Sequence, residues 1–327
     1  MKNYISLSDI ENIDQAIAEG LQLKNNNTAA NLGRGKTLGM LFFNPSLRTR
    51  LSTEKAAKLL GMEVMVMNAD RDGWALEFED GAIMNSNKAE HIKEAAAVLS
   101  QYCDIIAVRA FPGLEDKAKD EEDLVMKSFK KYATVPVVNL ESATGHPLQA
   151  LTDAMTITEL QKTKNPKVVL TWAPHPRALP QSVSNSFVEV MQRMDVEFVI
   201  ANPPGYDLNP QVKKDTPVFH NQDEALKDAD FVYVKNWSSY ENYGKILTED
   251  SSWTFSEQKV QLTNNAKVMH CLPVRRNVVI DDAVLDSINS VVIQQAGNRT
   301  YAAQVVLKRL LENLEKAKKI SHKAQLK

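Results

Sequence analysis

Lys36-Thr-Leu-Gly-Met-Leu-Phe-Phe43, then Asn44-Pro45, then Ser46-Leu-Arg-Thr-Arg50, is the stretch on which the fold turns. Its first eight residues are short, apolar and bounded by Gly35 and Pro45, which reads as a buried strand. The next five lead into a segment with Ala56, Leu59 and Leu60 on one face and Gly61 as its stop, which reads as a helix. A buried strand feeding a helix through a short polar turn is the building unit of a parallel sheet.

The same unit recurs on both sides of this stretch. Upstream, Ser8-Asp9-Ile10-Glu11 has capping-box spacing, and Ile10, Ile13, Ile17 and Leu21 follow at helical intervals. Downstream, a second strand runs from about 63 to 67, and Ile92, Ala95, Ala96, Leu99, Tyr102 and Cys103 form a helical stripe leading into a strand over 104–110. A further strand is expected over 135–140. His146-Pro147 then opens a helix, with proline at its first position and Leu148, Leu151 and Met155 facing inward. After Asn165-Pro166 the rhythm predicts strands near 167–173, 196–201, 231–236, 267–270 and 290–294. Ala303, Val306, Leu307, Leu310 and Leu311 mark a strong closing helix, and the polar tail 321–327 reads as frayed. The whole is α/β, with two domains that are each a parallel sheet flanked by helices, as 327 residues allow. The boundary falls in or beside the 147–165 helix.

Composition narrows the chemistry. With 39 Lys+Arg against 41 Asp+Glu, the net charge is −2, which argues against bulk nucleic-acid binding. No apolar run approaches a membrane span, and the first residues lack the apolar core of a secretory signal, so a cytoplasmic protein handling small molecules is expected. Two cysteines, Cys103 and Cys271, make neither a disulfide framework nor a thiolate zinc site, and the histidines lack metal spacing. Neither a Walker loop nor a dinucleotide fingerprint occurs.

In open parallel sheets ligands bind beyond the carboxyl ends of the strands. The residues that follow the strands here are Ser46–Arg50, Arg71–Trp74, Arg109, Glu141 with His146 and Gln149, His175 with Arg177, Lys235-Asn236, the run from His270 to Arg276, and Arg299. Cations, hydroxyls and imidazoles gather at one edge, and that pattern points to a single anion-binding site despite the near-zero net charge. In Ser46–Arg50, unpaired helix N–H groups combine with serine, threonine and arginine donors, so phosphate is the natural ligand. Cys271 beside His270 invites a thiolate-nucleophile reading. Neighbours on a strand point to opposite faces, however, which is poor geometry for proton transfer.

Ser46-Leu-Arg-Thr-Arg, His146-Pro-Leu-Gln and His270-Cys-Leu-Pro, in this order and spacing, resemble the carbamoyl phosphate motifs of the aspartate/ornithine carbamoyltransferases, and the similarity covers nearly the whole chain. The resemblance implies a carbamoyl phosphate domain over residues 1–148, joined by a C-terminal helix (about 300–320) that returns to it, and an amino-acid-binding domain over 149–299. It implies that Ser46, Leu47, Arg48 and Thr49 hold the phosphate with Arg109, and that His146 and Gln149 contact the carbamoyl group. The Leu272 carbonyl would orient the carbamoyl amide, Cys271 would lie near the incoming amine, and Arg299 would complete the pocket. Arg48, Thr49, Arg109, His146 and Cys271 are then the catalytic set. No metal or organic cofactor is required. Homotrimers with shared sites are implied, with Trp74 reaching into a neighbour's carbamoyl phosphate site.

Ornithine-specific members carry Asp-x-x-x-Ser-Met-Gly, which engages the free α-amino group. Here the stretch is Val234-Lys235-Asn236-Trp237-Ser238-Ser239-Tyr240. A lysine suits a carboxylate and repels an α-ammonium, so a substrate acylated at that nitrogen is expected. Trp74, Thr171-Trp-Ala-Pro-His-Pro-Arg177 and Cys271-Leu-Pro-Val-Arg-Arg276 resemble the branch acting on N-acylated ornithines, which implies that Glu141, His175, Lys235 and Arg275 hold the acylornithine. The loop Asn87-Lys88-Ala89-Glu90-His91 bears on the acyl group: the acetyl-specific branch has a glutamate here and the succinyl-specific branch a proline. With Ala89 at that position no carboxylate repels a succinyl group, whereas a one-residue shift would put Glu90 there. N-succinylornithine is the expected substrate, with N-acetylornithine and then ornithine as alternatives. A two-lobed binding protein would need an export signal, and a catalytically silent homologue would not need all these motifs intact.

Overall fold

The structure, a computed structural model, describes the backbone of residues 1–325, and side chains for all of these except Asp70 and residues 321–325. Among the described residues, nine strands make two parallel sheets: β1 Thr37–Phe42, β2 Glu63–Asn68, β3 Ile105–Arg109 and β4 Val137–Glu141 in the first, and β5 Lys167–Ala173, β6 Glu197–Ala201, β7 Val218–Phe219, β8 Phe231–Asn236 and β9 Lys267–Met269 in the second. Their spatial orders are β2-β1-β3-β4 and β9-β8-β5-β6-β7, and every pairing within both is parallel. A separate two-stranded ribbon pairs Leu76–Glu77 with Glu90–His91. Central strands β3 and β8 are buried along their whole length, whereas edge strand β2 is half open, which is why it alternates more than its neighbours.

The main helices are α1 Ile13–Asn25, α2 Arg48–Leu59, α3 Ile92–Tyr102, α4 Leu124–Tyr132, α5 Pro147–Leu160, α6 Ser182–Met191 and α7 Val292–Gln325. Pro147 does sit at the first position of α5, behind His146 at the N-cap. Every residue of α5 from Pro147 to Ile157 is buried, as expected of a helix enclosed on all sides rather than on one stripe. Its buried hydroxyls are satisfied within the helix, Thr152 donating to the Leu148 carbonyl (2.7 Å) and Thr156 to the Thr152 carbonyl (2.8 Å). The closing helix α7 packs on α2, α5 and α1, so it does return to the first half of the chain, with Ala303, Val306, Leu307, Leu310 and Leu311 in the core.

The structure corrects several expectations. The capping box belongs to Ser6 and Asp9 around a one-turn 3-10 helix, and α1 is instead capped by the Asn12 side chain, which accepts from the Gln15 N–H (2.8 Å). Tyr102 is 64 % exposed rather than part of the buried stripe. The strand expected over 290–294 is a single bridge between Val268 and Ser290, after which α7 begins at once. The helical turn sets Gln295, Asn298 and Arg299 on one face at i, i+3 and i+4, which an extended segment cannot do. The tail expected to fray from residue 321 continues α7 to Gln325, and residues 326–327 lie outside those described.

Candidate active site

Each sheet reverses its winding once, and the crevice opens beyond the carboxyl ends at that point. In the first sheet the reversal lies between β1 and β3, where Ser46–Thr49 and Arg109 follow. In the second it lies between β5 and β8, where His175 follows β5 and Lys235-Asn236 end β8. Both crevices open into one cleft of about 370 Å³. Among the expected residues, Ser46, Leu47, Arg48, Thr49, Arg109, Glu141, His146, Gln149, His175, Lys235, Cys271, Leu272 and Arg299 line it.

Two buried guanidinium groups converge on one hydroxyl. Arg109 Nη1 donates to Thr49 Oγ1 (3.0 Å) and to Ser46 Oγ (2.9 Å), while Arg299 Nη2 donates to the same Thr49 Oγ1 (2.6 Å). Burial pulls both arginines downward in pKa and the Glu141 carboxylate opposes that shift, yet guanidinium stays charged in proteins. Glu141 pairs with Arg109 (3.2 Å) and accepts from Ser182 Oγ (3.0 Å). Arg48 opens α2 half-exposed, with no hydrogen bond or ion pair among the described residues. Thr49, one residue into the helix, is fully covered.

His146 is buried. Burial first, then Arg299 and Arg109, hold its pKa well below the ordinary histidine value, so the ring is neutral. Its Nε2 lies 3.5 Å from Arg299 Nη2 and 3.6 Å from Glu141 Oε2. His270 is likewise held neutral, by burial and then by Lys235 and Arg48. Its Nδ1 accepts from the Leu272 N–H (2.8 Å), and Leu272 holds a left-handed backbone conformation (φ 59°), a strained state for leucine that aims its peptide group. Strand β9 ends at Met269, so His270 and Cys271 sit in the following loop. There the two side chains need not point to opposite faces, but the one accepting nitrogen of the neutral His270 ring, Nδ1, is already taken by the Leu272 N–H.

On the second domain's side, Lys235 is 5 % exposed and makes no hydrogen bond or ion pair among the described residues. Arg275 stands outside the cleft lining but reaches it through His175, donating Nε to His175 Nε2 (3.1 Å). His175 is lowered by burial, and its Nδ1–H donates to the Arg177 carbonyl (2.7 Å), the tautomer that leaves Nε2 as acceptor. Trp172 is structural: it is buried and donates to the Tyr206 carbonyl (2.7 Å).

Trp74 and Ala89 do not line the cleft of their own chain. Trp74 is 61 % exposed, and its indole N–H donates to Glu90 Oε2 (2.8 Å), tying the neighbour of Ala89 to the tryptophan. Arg50 is exposed and away from the cleft, and Arg299 lies inside α7 rather than at a strand end. Sequence reasoning missed Asp153 and Gln295. Both are buried, and Asp153 Oδ1 accepts from Gln149 Nε2 and Gln295 Nε2, each at 2.7 Å. The available signal was spacing: Asp153 is four residues after Gln149 and Gln295 four before Arg299, each on the face of a site residue.

Two doubly wound sheets meeting over a cationic cleft define a two-domain α/β protein built for small anionic ligands. The chain belongs to the aspartate/ornithine carbamoyltransferase family. It matches that family's carbamoyl-P binding domain over residues 2–159 and its Asp/Orn binding domain over residues 179–310. It is 50 % identical over 318 residues to an N-succinylornithine carbamoyltransferase of Bacteroides thetaiotaomicron, covering 96 % of this chain and 100 % of that one. An N-acetylornithine carbamoyltransferase of Xanthomonas axonopodis pv. citri is 36 % identical, covering 94 % and 96 %. A crystal structure of a glutamate-to-alanine variant of N-acetyl-L-ornithine transcarbamylase, complexed with carbamyl phosphate and N-succinyl-L-norvaline, superimposes with a TM-score of 0.90 at 36 % identity, covering 95 % of this chain and 100 % of that one.

Proposed function

We propose that the protein transfers the carbamoyl group of carbamoyl phosphate to the δ-amine of N2-succinyl-L-ornithine, giving N-succinyl-L-citrulline and phosphate, as a step of arginine biosynthesis. The observation that carries the reading is the convergence of Arg109 and Arg299 on Thr49 Oγ1 at the head of α2. Residues 1–148 with the closing helix form the carbamoyl phosphate side, and residues 149–299 the acylornithine side.

In this reading Ser46, Leu47, Arg48 and Thr49 hold the phosphate at the N-terminus of α2, where free N–H groups and the helix dipole favour an anion. The ornithine δ-amine, ordinarily lysine-like with a pKa of about 10, must lose its proton to attack, and a cationic cleft favours that loss. Its nitrogen bonds to the carbamoyl carbon. The carbon–oxygen bond to phosphate breaks, and the amine's second proton leaves with the phosphate. Thr49, Arg109 and neutral His146 stabilise the oxygen that becomes negative, and the Leu272 carbonyl accepts from the carbamoyl amide. Gln149 and Arg299 complete that pocket, and Cys271 lies beside the incoming amine.

Glu141, His175, Lys235 and Arg275 hold the acylornithine. The buried Lys235 supplies a cation for a carboxylate where a free α-ammonium would be repelled. The succinyl choice is supported by the higher identity to N-succinylornithine carbamoyltransferases and by Ala89, which leaves no carboxylate where the acetyl-specific branch has a glutamate. The protein is read as a cytoplasmic homotrimer in which Trp74 serves a neighbouring site. The exposed apolar residues Leu47, Leu51, Met65, Trp74 and Ile83 support such an interface, and a solution mass of a single chain would contradict it.

Incubating the protein with carbamoyl phosphate and N-succinylornithine should release N-succinylcitrulline, identified by mass. Arg48→Ala, which removes a side chain with no hydrogen bond or ion pair among the described residues, should abolish turnover while leaving the thermal melt unchanged. Near-normal turnover by that variant would refute the phosphate assignment.

A further inference from the structure

Asp153 lies on α5 with no solvent exposure, four residues beyond Gln149, and takes no part in the chemistry outlined above. One of its oxygens, Oδ1, accepts two amide hydrogens, from Gln149 of its own helix and from Gln295 of the closing helix. A carboxamide has one donating end and one accepting end, so this acceptor fixes which way both glutamines face. Gln149 Oε1 is turned toward Arg299, whose Nη1 donates to it, and Gln295 Oε1 is turned toward the His270 N–H (2.9 Å). Arg299 then presents Nη2 to Thr49, and His270 presents Nδ1 to the Leu272 N–H. Both walls of the cleft thus refer to one buried carboxyl.

We infer that Asp153 is a positioning residue: by fixing the amide orientation of Gln149 and Gln295, it aims Arg299 and the 270–272 loop at the bound carbamoyl group. The inference rests on the carbamoyl-transfer reading and deepens it. Without that acceptor either glutamine can flip, placing an NH₂ against the Arg299 guanidinium or the His270 N–H. Each flip replaces an attraction with a repulsion between donors and leaves a buried group unsatisfied. Either protonation state of the carboxyl leaves Oδ1 able to accept, so the oxygen, not the charge, is what matters.

The test compares Asp153→Asn, which keeps an accepting oxygen, with Asp153→Leu, which is of similar size and accepts nothing. Steady-state kinetics with carbamoyl phosphate and N-succinylornithine are read beside circular dichroism and the thermal melt. The expected result is an Asn enzyme with kcat within about threefold of the unaltered protein. The Leu enzyme should be folded but lose on the order of 100-fold in kcat, the scale of a misplacement near 1 Å at reacting groups. A folded Leu enzyme with kcat near that of the unaltered protein would overturn the inference, and so would an Asn enzyme as damaged as the Leu one. If Asp153→Leu does not fold, Gln295→Met removes one of the two donors and must itself lower kcat. Unchanged constants there would be equally fatal. An unaltered protein that makes no product would instead count against the function, so the two failures are distinguishable.

Discussion

At the scale of single residues, the site is a set of buried polar groups that satisfy one another only in part. Asp153 shows the cost most plainly. It faces Gln149 on its own helix, Gln295 and Arg299 on α7 and Tyr233 on β8, and burial, its largest influence, raises its pKa to about 7 from the ordinary 3.8. Between those two values the folded protein binds more protons than the unfolded chain, so this group makes stability fall as pH rises through the window. Above pH 7 the full penalty, on the order of a few kcal/mol, is present. Asp153→Asn should therefore melt higher than the unaltered protein at pH 8, with the gap closing toward pH 4. Equal gaps at pH 8 and pH 4.5 in parallel melts would contradict that origin. Buried, neutral His146 and His270 act in the opposite sense, since unfolding lets them take up protons below about 6.5 and so favours unfolding in acid.

At the scale of elements, the closing helix couples stability to the site. Its inner face supplies Gln295 and Arg299 near its start and Ala303, Val306, Leu307, Leu310 and Leu311 farther on, packed over α2 and α5. Leu307→Ala should cost about 2–5 kcal/mol in a urea melt. A loss under about 1 kcal/mol would mean that the helix does not anchor there. Most of this was legible beforehand. Strands such as Thr37–Phe42 and Phe231–Asn236 announce themselves because buried parallel strands are continuous apolar runs, and Pro147 marks a helix start because its missing N–H costs nothing there. Residues 290–294 misled because Val291, Val292 and Ile293 are β-branched. Contacts made distantly by Gln295 and Arg299 override that local preference, and propensity cannot register them. The same limit hid Asp153: its partners come from other elements, whereas Ser46–Arg50 carries its meaning within five residues.

At the scale of the whole molecule, a net charge of −2 conceals a strongly cationic cleft. Arg48, Arg109, Lys235 and Arg299 line it, with Arg275 behind His175, against one carboxylate among the described residues, that of Glu141, which is itself paired. The arrangement matches two substrates that bring a phosphate and carboxylates. The two halves also meet through Tyr243, which donates to Asp120 Oδ2 (2.9 Å), and through Gly244, whose positive φ of 71° and approach to the Leu114 carbonyl leave no room for a side chain. Such a cleft suits an ornithine whose α-nitrogen bears a succinyl group. Its most direct test is kcat/KM for citrulline-type product formation from carbamoyl phosphate with N-succinylornithine, N-acetylornithine and ornithine, side by side. N-succinylornithine should be preferred, and free ornithine should be the poorest of the three. Free ornithine turning over as well as or better than the acylated amines would contradict it.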